Sequence, residues 1–115
     1  MYYKIKSEKE NLVMKKIING RLYDTDTAKA IGSYSNGYGA GDLYYLNETL
    51  YRKKTGEFFL FGDGGAKTKY GVECGNRCWT SSTGINPLME EETKEWVEEH
   101  LDADIYIDVF GTVEE

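Results

Sequence analysis

Alternation of apolar and polar residues is clearest in two runs near the middle of the chain. The first run covers residues 43–53 and the second covers 57–61, and a short segment that ends in Gly56 joins them. Two alternating runs with such a link predict a β-hairpin. Both faces of this hairpin carry large apolar side chains, so one face needs a helix over it and the other needs a second cover or a partner. The pattern therefore predicts a small antiparallel sheet with the hairpin 43–61 at its centre.

Helical periodicity is strongest over residues 88–101. Apolar or weakly polar residues recur there at the spacing of one helix face, and glutamates fill the opposite side; the inward positions are Met89, Thr93, Trp96, Val97, His100 and Leu101. This arrangement predicts an amphipathic helix that packs on the sheet. The next run, ADIYIDVF, fits a strand by its β-branched residues or a short helix that ends at Gly111, and we favour the helix.

The first third of the chain predicts a second hairpin and a short helix. Asn19-Gly20 lies between short apolar runs, and this dipeptide accepts the positive φ angles of a tight turn. Asp24 and Thr25 resemble helix caps, so the following TDTAKAIG predicts a short N-terminal helix that ends before Gly32. The glycine-rich stretches 33–42 and 62–86 follow neither period, which predicts loops with at most one short strand or turn.

Length and composition predict one α+β domain over residues 14–115, preceded by an N-terminal extension over residues 1–13. The chain has 115 residues, and 40% of them are hydrophobic, which is ordinary for a globular domain. Its apolar runs are shorter than a bilayer span or a secretory signal, so we expect no membrane association and a cytoplasmic location. The two cysteines, Cys74 and Cys78, form no disulfide framework, and a reducing cytosol is expected to keep them as thiols.

Negative charge is concentrated at the C-terminal end. Residues 88–115 hold eleven Asp and Glu against one Lys, a net charge of −10, whereas the whole chain carries −6. The remainder is therefore mildly basic. A surface with so much local negative charge attracts basic partners, and nucleic-acid-binding proteins are the commonest of these, which points to nucleic-acid mimicry. The simpler interpretation is a helix with a solvated acidic face.

The residues that carry chemistry form no complete catalytic or metal pattern. Cys74 and Cys78 supply two thiols where a structural zinc site needs four ligands, and His100 is the only histidine, so we expect no metal and no cofactor. His100 lies on the inward face of the predicted helix, where a packed histidine is expected. Scattered carboxylates in the sheet region match no Mg²⁺ motif. A basic and aromatic set suits RNA stacking instead: Arg52, Lys53, Lys54, Lys67, Lys69, Arg77, Tyr51, Phe59, Phe61 and Tyr70.

Two stretches give the chain a family resemblance: TLYRKKTGEFFLFGDGGAKTKYGVECGNRCW and NPLMEEETKEWVEEHL. From Met14 to Glu115 the sequence resembles small proteins of phages and plasmids of Gram-positive bacteria, some of which are type II anti-CRISPR proteins. Met89, where a capping Ser or Thr is expected, and the apolar Ile105 and Ile107 depart from that pattern. The resemblance implies a non-enzymatic inhibitor that acts in the cytoplasm of an infected or plasmid-bearing bacterial host.

The implied partner is a type II RNA-guided DNA nuclease, with or without its guide RNA, whose positively charged nucleic-acid channel a small acidic protein would occupy. Contacts are expected from the acidic helix and from tyrosines of the hairpin as aromatic anchors: Glu91, Glu92, Glu95, Glu98, Glu99, Asp102, Tyr45 and Tyr51. Two alternatives remain open at this point. One is an RNA-acting enzyme that cleaves or trims the guide, and the other is a phage or plasmid accessory or regulatory protein unrelated to CRISPR.

Overall fold

The computed structural model describes residues 14–115, and the predicted extension at residues 1–13 lies outside the described residues. Eight strands precede two helices, which makes the domain α+β as expected. The elements are β1 (Lys15–Ile18), β2 (Arg21–Asp24), β3 (Lys29–Ser35), β4 (Leu46–Arg52), β5 (Phe58–Gly64), β6 (Val72–Gly75), β7 (Cys78–Thr80), β8 (Ser82–Leu88), α1 (Glu90–His100) and α2 (Ala103–Phe110).

The predicted central hairpin is confirmed in its position at the middle of the sheet. Strands β4 and β5 pair antiparallel, with Leu50 opposite Leu60, and they lie between β3 and β8 in a four-stranded sheet of order β3-β4-β5-β8. Gly56 in the connecting turn has φ +97°, which favours glycine. The hairpin is shifted from the predicted 43–61, because β4 begins only at Leu46 and β5 continues to Gly64.

The short helix predicted after Asp24 is wrong. The Asp24 carboxylate accepts a hydrogen bond of 2.9 Å from the backbone N–H of Asp26, and Ala28 N–H bonds to the Asp24 carbonyl, which makes one closed turn and no helix. The next element is β3, which pairs with β4 with one irregularity between Ala30 and Gly32 and extends through Ser35 into the predicted loop. Sheet pairing with β4 supplies a partner for these backbone groups, and this outweighs the local helix signal.

One face of the sheet packs against both C-terminal helices. Helix α1 confirms the predicted amphipathic helix, and it buries Trp96, Val97 and Thr93 over Leu50 and Leu60. Helix α2 confirms the favoured interpretation of ADIYIDVF and packs beside α1 through its apolar residues, which include Ile105, Tyr106, Val109 and Phe110. Met89 departs from the predicted inward stripe, because its side chain is 70% exposed at the start of α1.

The opposite face of the sheet is covered by the β1-β2 hairpin, which the Asn19-Gly20 turn predicted. Asn19 and Gly20 have φ angles of +52° and +79°, as a tight hairpin turn requires. Tyr23 from β2 packs edge-on against Phe59 of β5, and Ile85 of β8 completes this second cluster. The sequence did not show whether this face is covered by the chain or by a partner, and the structure shows that the β1-β2 hairpin of the chain packs on it.

The stretch 62–86 is more ordered than predicted, since it contains the ends of the sheet and a small hairpin, β6-β7. Gly62 and Gly84 lie opposite each other on β5 and β8, and the ring of Tyr70 lies over them. The expectation of free thiols is also wrong. The β6-β7 turn brings the Cα atoms of Cys74 and Cys78 to 5.2 Å, and the two residues form a disulfide.

Candidate functional site

The carboxylates predicted as partner contacts line the outer side of helix α1. Residues 91, 95, 98 and 99 recur at the spacing of one face of α1, and residue 102 follows just after the helix ends. All five are exposed, whereas Trp96 and Val97 face the sheet. We call this set the acidic stripe; it consists of Glu91, Glu95, Glu98, Glu99 and Asp102. Glu92, also predicted, is exposed at its margin. The structure therefore leaves all six predicted acidic residues exposed, on or directly after α1.

The acidic stripe makes no ion pair with any residue from 14 to 115. Helix α1 forms one ion pair within that range, between Lys94 and Glu90 at 3.3 Å, and Glu90 lies outside the stripe. Like charges four residues apart on a helix are destabilising by about 0.2–0.5 kcal/mol per pair. Glu91 with Glu95, and Glu95 with Glu99, are such pairs. The stripe consequently costs the helix stability, which a solvated face of mixed charge would avoid.

Two of the predicted acidic residues have capping functions. The Glu92 carboxylate accepts a hydrogen bond of 2.8 Å from the backbone N–H of Met89, where the helix begins. Asp102 precedes α2, and its carboxylate accepts a hydrogen bond of 3.1 Å from the backbone N–H of Ile105. These bonds satisfy backbone donors that a helix start leaves free. The sequence signal for Glu92 was its position three residues after Met89, even though Met89 has no capping oxygen.

An apolar groove lies beside the acidic stripe, between α1 and α2. Its volume is about 420 Å³, and its lining is mostly apolar: Val97, Leu101, Ala103, Tyr106, Ile107 and Val113, together with Glu98 and Asp102 of the stripe. Ile107 is 41% exposed and Val113 is 61% exposed, so apolar surface reaches solvent next to carboxylates. The groove has no signal in the sequence, because it depends on how α2 packs against α1.

The two tyrosines predicted as aromatic anchors lie away from the acidic stripe. Tyr45 is buried, and its hydroxyl donates a hydrogen bond of 2.6 Å to Asp63; this bond, together with burial, raises the pKa of the phenol. Tyr51 stacks on Phe59 at 5.3 Å between ring centres, on the sheet face opposite the helices. The more exposed aromatic side chains lie in the segment between β3 and β4 and in the β6-β7 hairpin; they are Tyr38, Tyr44 and Trp79.

A buried carboxylate, that of Glu48, lies where helix α1 meets the sheet. Three donors surround it: the Tyr70 hydroxyl at 2.7 Å, the Trp96 indole nitrogen at 2.9 Å and the Lys69 ammonium at 2.7 Å. Burial by itself raises the pKa of this carboxyl, but the hydrogen bonds from Lys69, Trp96 and Tyr70 outweigh burial and hold it below its ordinary value. With its lone pairs occupied, Glu48 is placed to join elements of the fold and not to abstract a proton.

Part of the basic and aromatic set considered for RNA binding is used inside the protein. Lys53 pairs with Glu57 at 2.8 Å and lies 4.1 Å from the centre of the Tyr23 ring, and Lys69 pairs with Glu48. Phe59 and Tyr70 are buried. A stacking surface for bases needs exposed rings next to free cations, and these four residues do not contribute to one. The other four cations of the set, Arg52, Lys54, Lys67 and Arg77, are exposed.

Within residues 14–115, no three metal-ligating side chains of the His, Cys, Asp or Glu type lie together. Cys74 and Cys78 are joined to each other, and His100 stacks on Tyr34 at 3.8 Å between ring centres. Neither helix in this part of the chain is long and apolar enough to cross a membrane. Comparison of the chain with protein families, curated proteins and solved structures finds no match.

Proposed function

We propose that this protein is a non-enzymatic inhibitor of a type II RNA-guided DNA nuclease and acts in the cytoplasm of an infected or plasmid-bearing bacterium. The acidic stripe would occupy part of the positively charged channel that holds guide RNA or target DNA. The proposal continues the family resemblance of the sequence, and one observation of the fold carries it. Five exposed carboxylates, four on one face of α1 and Asp102 just after the helix, have no ion pair with residues 14–115.

The spacing of the carboxylates in the acidic stripe, and the helix stability that their mutual repulsion removes, both support this proposal. The Cβ atoms of residues four apart on a helix lie about 5–6 Å from each other. The carboxylates that they carry therefore form a row of closely spaced negative charges, as phosphates do along a nucleic-acid strand. Because the repulsion among them is not relieved inside the described chain, a cationic partner surface would gain their full electrostatic attraction. Such complementarity raises the association rate and makes binding sensitive to salt.

The first test is co-elution of the purified protein with several type II effector nucleases on a sizing column, each with and without guide RNA. Binding to the guide-free nuclease alone would support competition for the nucleic-acid channel, and binding to the loaded complex would indicate a block at a later step. Binding to none of them, with labelled guide RNA left intact in Mg²⁺, would contradict the proposal and favour an unrelated accessory protein. Cleavage of the guide would contradict the non-enzymatic mechanism.

A charge-reversal pair tests the surface itself. Glu95→Lys with Glu99→Lys should weaken nuclease binding by about tenfold or more at 0.15 M salt and flatten its salt dependence, because each reversal replaces an attraction by a repulsion. The matched control is Asp26→Lys with Glu73→Lys, which changes the net charge equally at exposed positions outside the helices. Equal losses in both variants would show that net charge, and not the acidic stripe, governs binding.

A further inference from the structure

The groove between α1 and α2 combines apolar surface with uncompensated negative charge. Ile107 and Val113 expose 41% and 61% of their surfaces at the groove, while Glu98 and Asp102 contribute its polar lining. The acidic stripe continues along α1 from the same two carboxylates. A ligand that fits this surface must present apolar side chains to the groove and cations to its acidic side.

That chemistry argues against several occupants. Phosphates of a nucleic acid and anionic lipid headgroups carry the same sign of charge as the stripe, so both are repelled. A second copy of this chain would bring another segment of net charge −10 against the first. A cationic amphipathic helix meets both requirements, because it places apolar side chains on one face and Lys or Arg along their borders.

We propose that the α1-α2 groove binds an amphipathic helical segment of the partner protein, with one or more large apolar side chains between Ile107 and Val113 and with Lys or Arg against Glu98 and Asp102. This rests on the proposed function, and it adds the kind of partner segment that the inhibitor recognises. The apolar contact supplies affinity that salt does not screen, whereas the carboxylates select for basic flanks.

A defined probe tests the groove independently of any nuclease. The probe is a fluorescent Leu-Lys peptide of about 14 residues with its leucines on one helix face, a length at which such helices are marginally stable alone. The control peptide has the same composition in an order that forms no apolar face. Full-length protein should bind the amphipathic peptide about tenfold more tightly than the control, because the control keeps the charge and loses the apolar contact.

Matched variants locate the binding. Ile107→Ser with Val113→Ser should weaken peptide binding about tenfold, whereas Ile17→Ser, which removes an exposed isoleucine from β1, should leave it unchanged. Glu98→Gln with Asp102→Asn should weaken binding mainly at low salt, because the charge attraction that they remove is already screened at high salt. Asn at position 102 keeps an oxygen that can cap α2, so the helix should stay intact. Equal affinity for both peptides, or no effect of the Ile107 and Val113 changes, would overturn the inference. The inference would also be overturned if the free protein were a dimer and the Ile107 and Val113 changes dissociated it.

The outcomes separate this inference from the proposed function. If the protein binds no effector nuclease but takes up the amphipathic peptide through Ile107 and Val113, the nuclease proposal fails and the groove inference stands. If nuclease binding depends on Glu95 and Glu99 but Ile107→Ser with Val113→Ser changes neither nuclease nor peptide binding, the groove inference fails alone.

Discussion

The indole nitrogen of Trp96 donates a hydrogen bond of 2.9 Å to the carboxylate of Glu48, which ties helix α1 to the middle of the sheet. Glu48 is 3% exposed and Trp96 is 7% exposed, so the bond forms away from solvent. Because the same helix carries the acidic stripe on its outer side, the orientation of the candidate partner surface depends on this internal contact.

Replacement of Glu48 should destabilise the fold strongly. Glu48→Ala should lower the free energy of unfolding by about 3 kcal/mol, because it leaves the Tyr70 hydroxyl and the Trp96 indole without an acceptor and removes the partner of Lys69. Urea unfolding followed by far-UV circular dichroism measures this change. Glu95→Ala on the exposed side of the helix is the control and should shift stability by about 0.5 kcal/mol or less. A similar small shift for Glu48→Ala would contradict the structural role given to the network.

The carboxylate of Glu48 should also make the stability of the fold depend on pH, with lower stability in acid. The folded-state pKa of Glu48 is held below its ordinary value of 4.5. Its contribution to the free energy of unfolding is therefore complete above pH 4.5 and is lost as the pH falls through the lower folded-state pKa. Wild-type protein should therefore lose up to about 1.4 kcal/mol per pH unit more than Glu48→Gln below pH 4.5. Urea midpoints measured from pH 6 to pH 3 give both slopes.

The comparison variant for this pH series is Glu57→Gln. The pKa of Glu57 is also lowered, first by its hydrogen bond from Lys53, but its side chain is 33% exposed and solvent screens its interactions. Its substitution should change the acid slope less than Glu48→Gln does. Parallel slopes for wild type and Glu48→Gln would show that other carboxylates control acid unfolding.

Gly62 should be intolerant of a side chain. A Cβ atom at this position would overlap the Tyr70 ring, which then could not keep its hydrogen bond to Glu48. Gly62→Ala should therefore cost about 2–3 kcal/mol of unfolding free energy. Gly41→Ala is the control, because its added Cβ meets nothing within 4 Å, and it should be neutral or stabilise by less than about 1 kcal/mol. Equal thermal midpoints for the two variants would refute the packing argument.

Loss of the disulfide should loosen one hairpin and spare the rest. Cys74 and Cys78 are 4 positions apart, and every residue of β6 and β7 is exposed. Chain entropy for so short a loop is about 2 kcal/mol, so Cys74→Ser with Cys78→Ser should speed amide exchange in the hairpin about 30-fold. Amides of β4 and β5 serve as the internal control and should keep their rates. A parallel rise in those strands would mean that the hairpin unfolds together with the sheet.

Local patterns predicted the elements whose signals lie within a few residues. The Asn19-Gly20 turn, the β4-β5 hairpin and helix α1 all follow from period and turn chemistry. Asp24 shows the limit of such signals, since an aspartate before TDTAKAIG suits a helix cap and a local turn equally well. Pairing of β3 with β4 decided between them, and that pairing joins residues far apart in the chain.

The residues of the candidate site likewise differ in whether a local sequence pattern could reveal them. The acidic stripe was visible in the sequence because an exposed helix face repeats at a fixed spacing. Tyr45 and Tyr51 were assigned as anchors from strand alternation, which does not show that Asp63 accepts from one and Phe59 stacks on the other. Tyr38, Tyr44 and Trp79 are more exposed. Tyr38 and Trp79 lie in segments without a regular period, and Tyr44 lies in the alternating run but before β4 begins at Leu46.

By itself the sequence determined the charge asymmetry, the central hairpin and the face of α1 that carries the carboxylates, because each depends on neighbouring residues and on helix or strand period. Tertiary structure alone decided that Glu48 meets Trp96, that Tyr70 packs over Gly62, and that α2 closes an apolar groove beside the stripe. The first of these contacts joins residues 48 positions apart, and all three depend on how the elements pack together around the core.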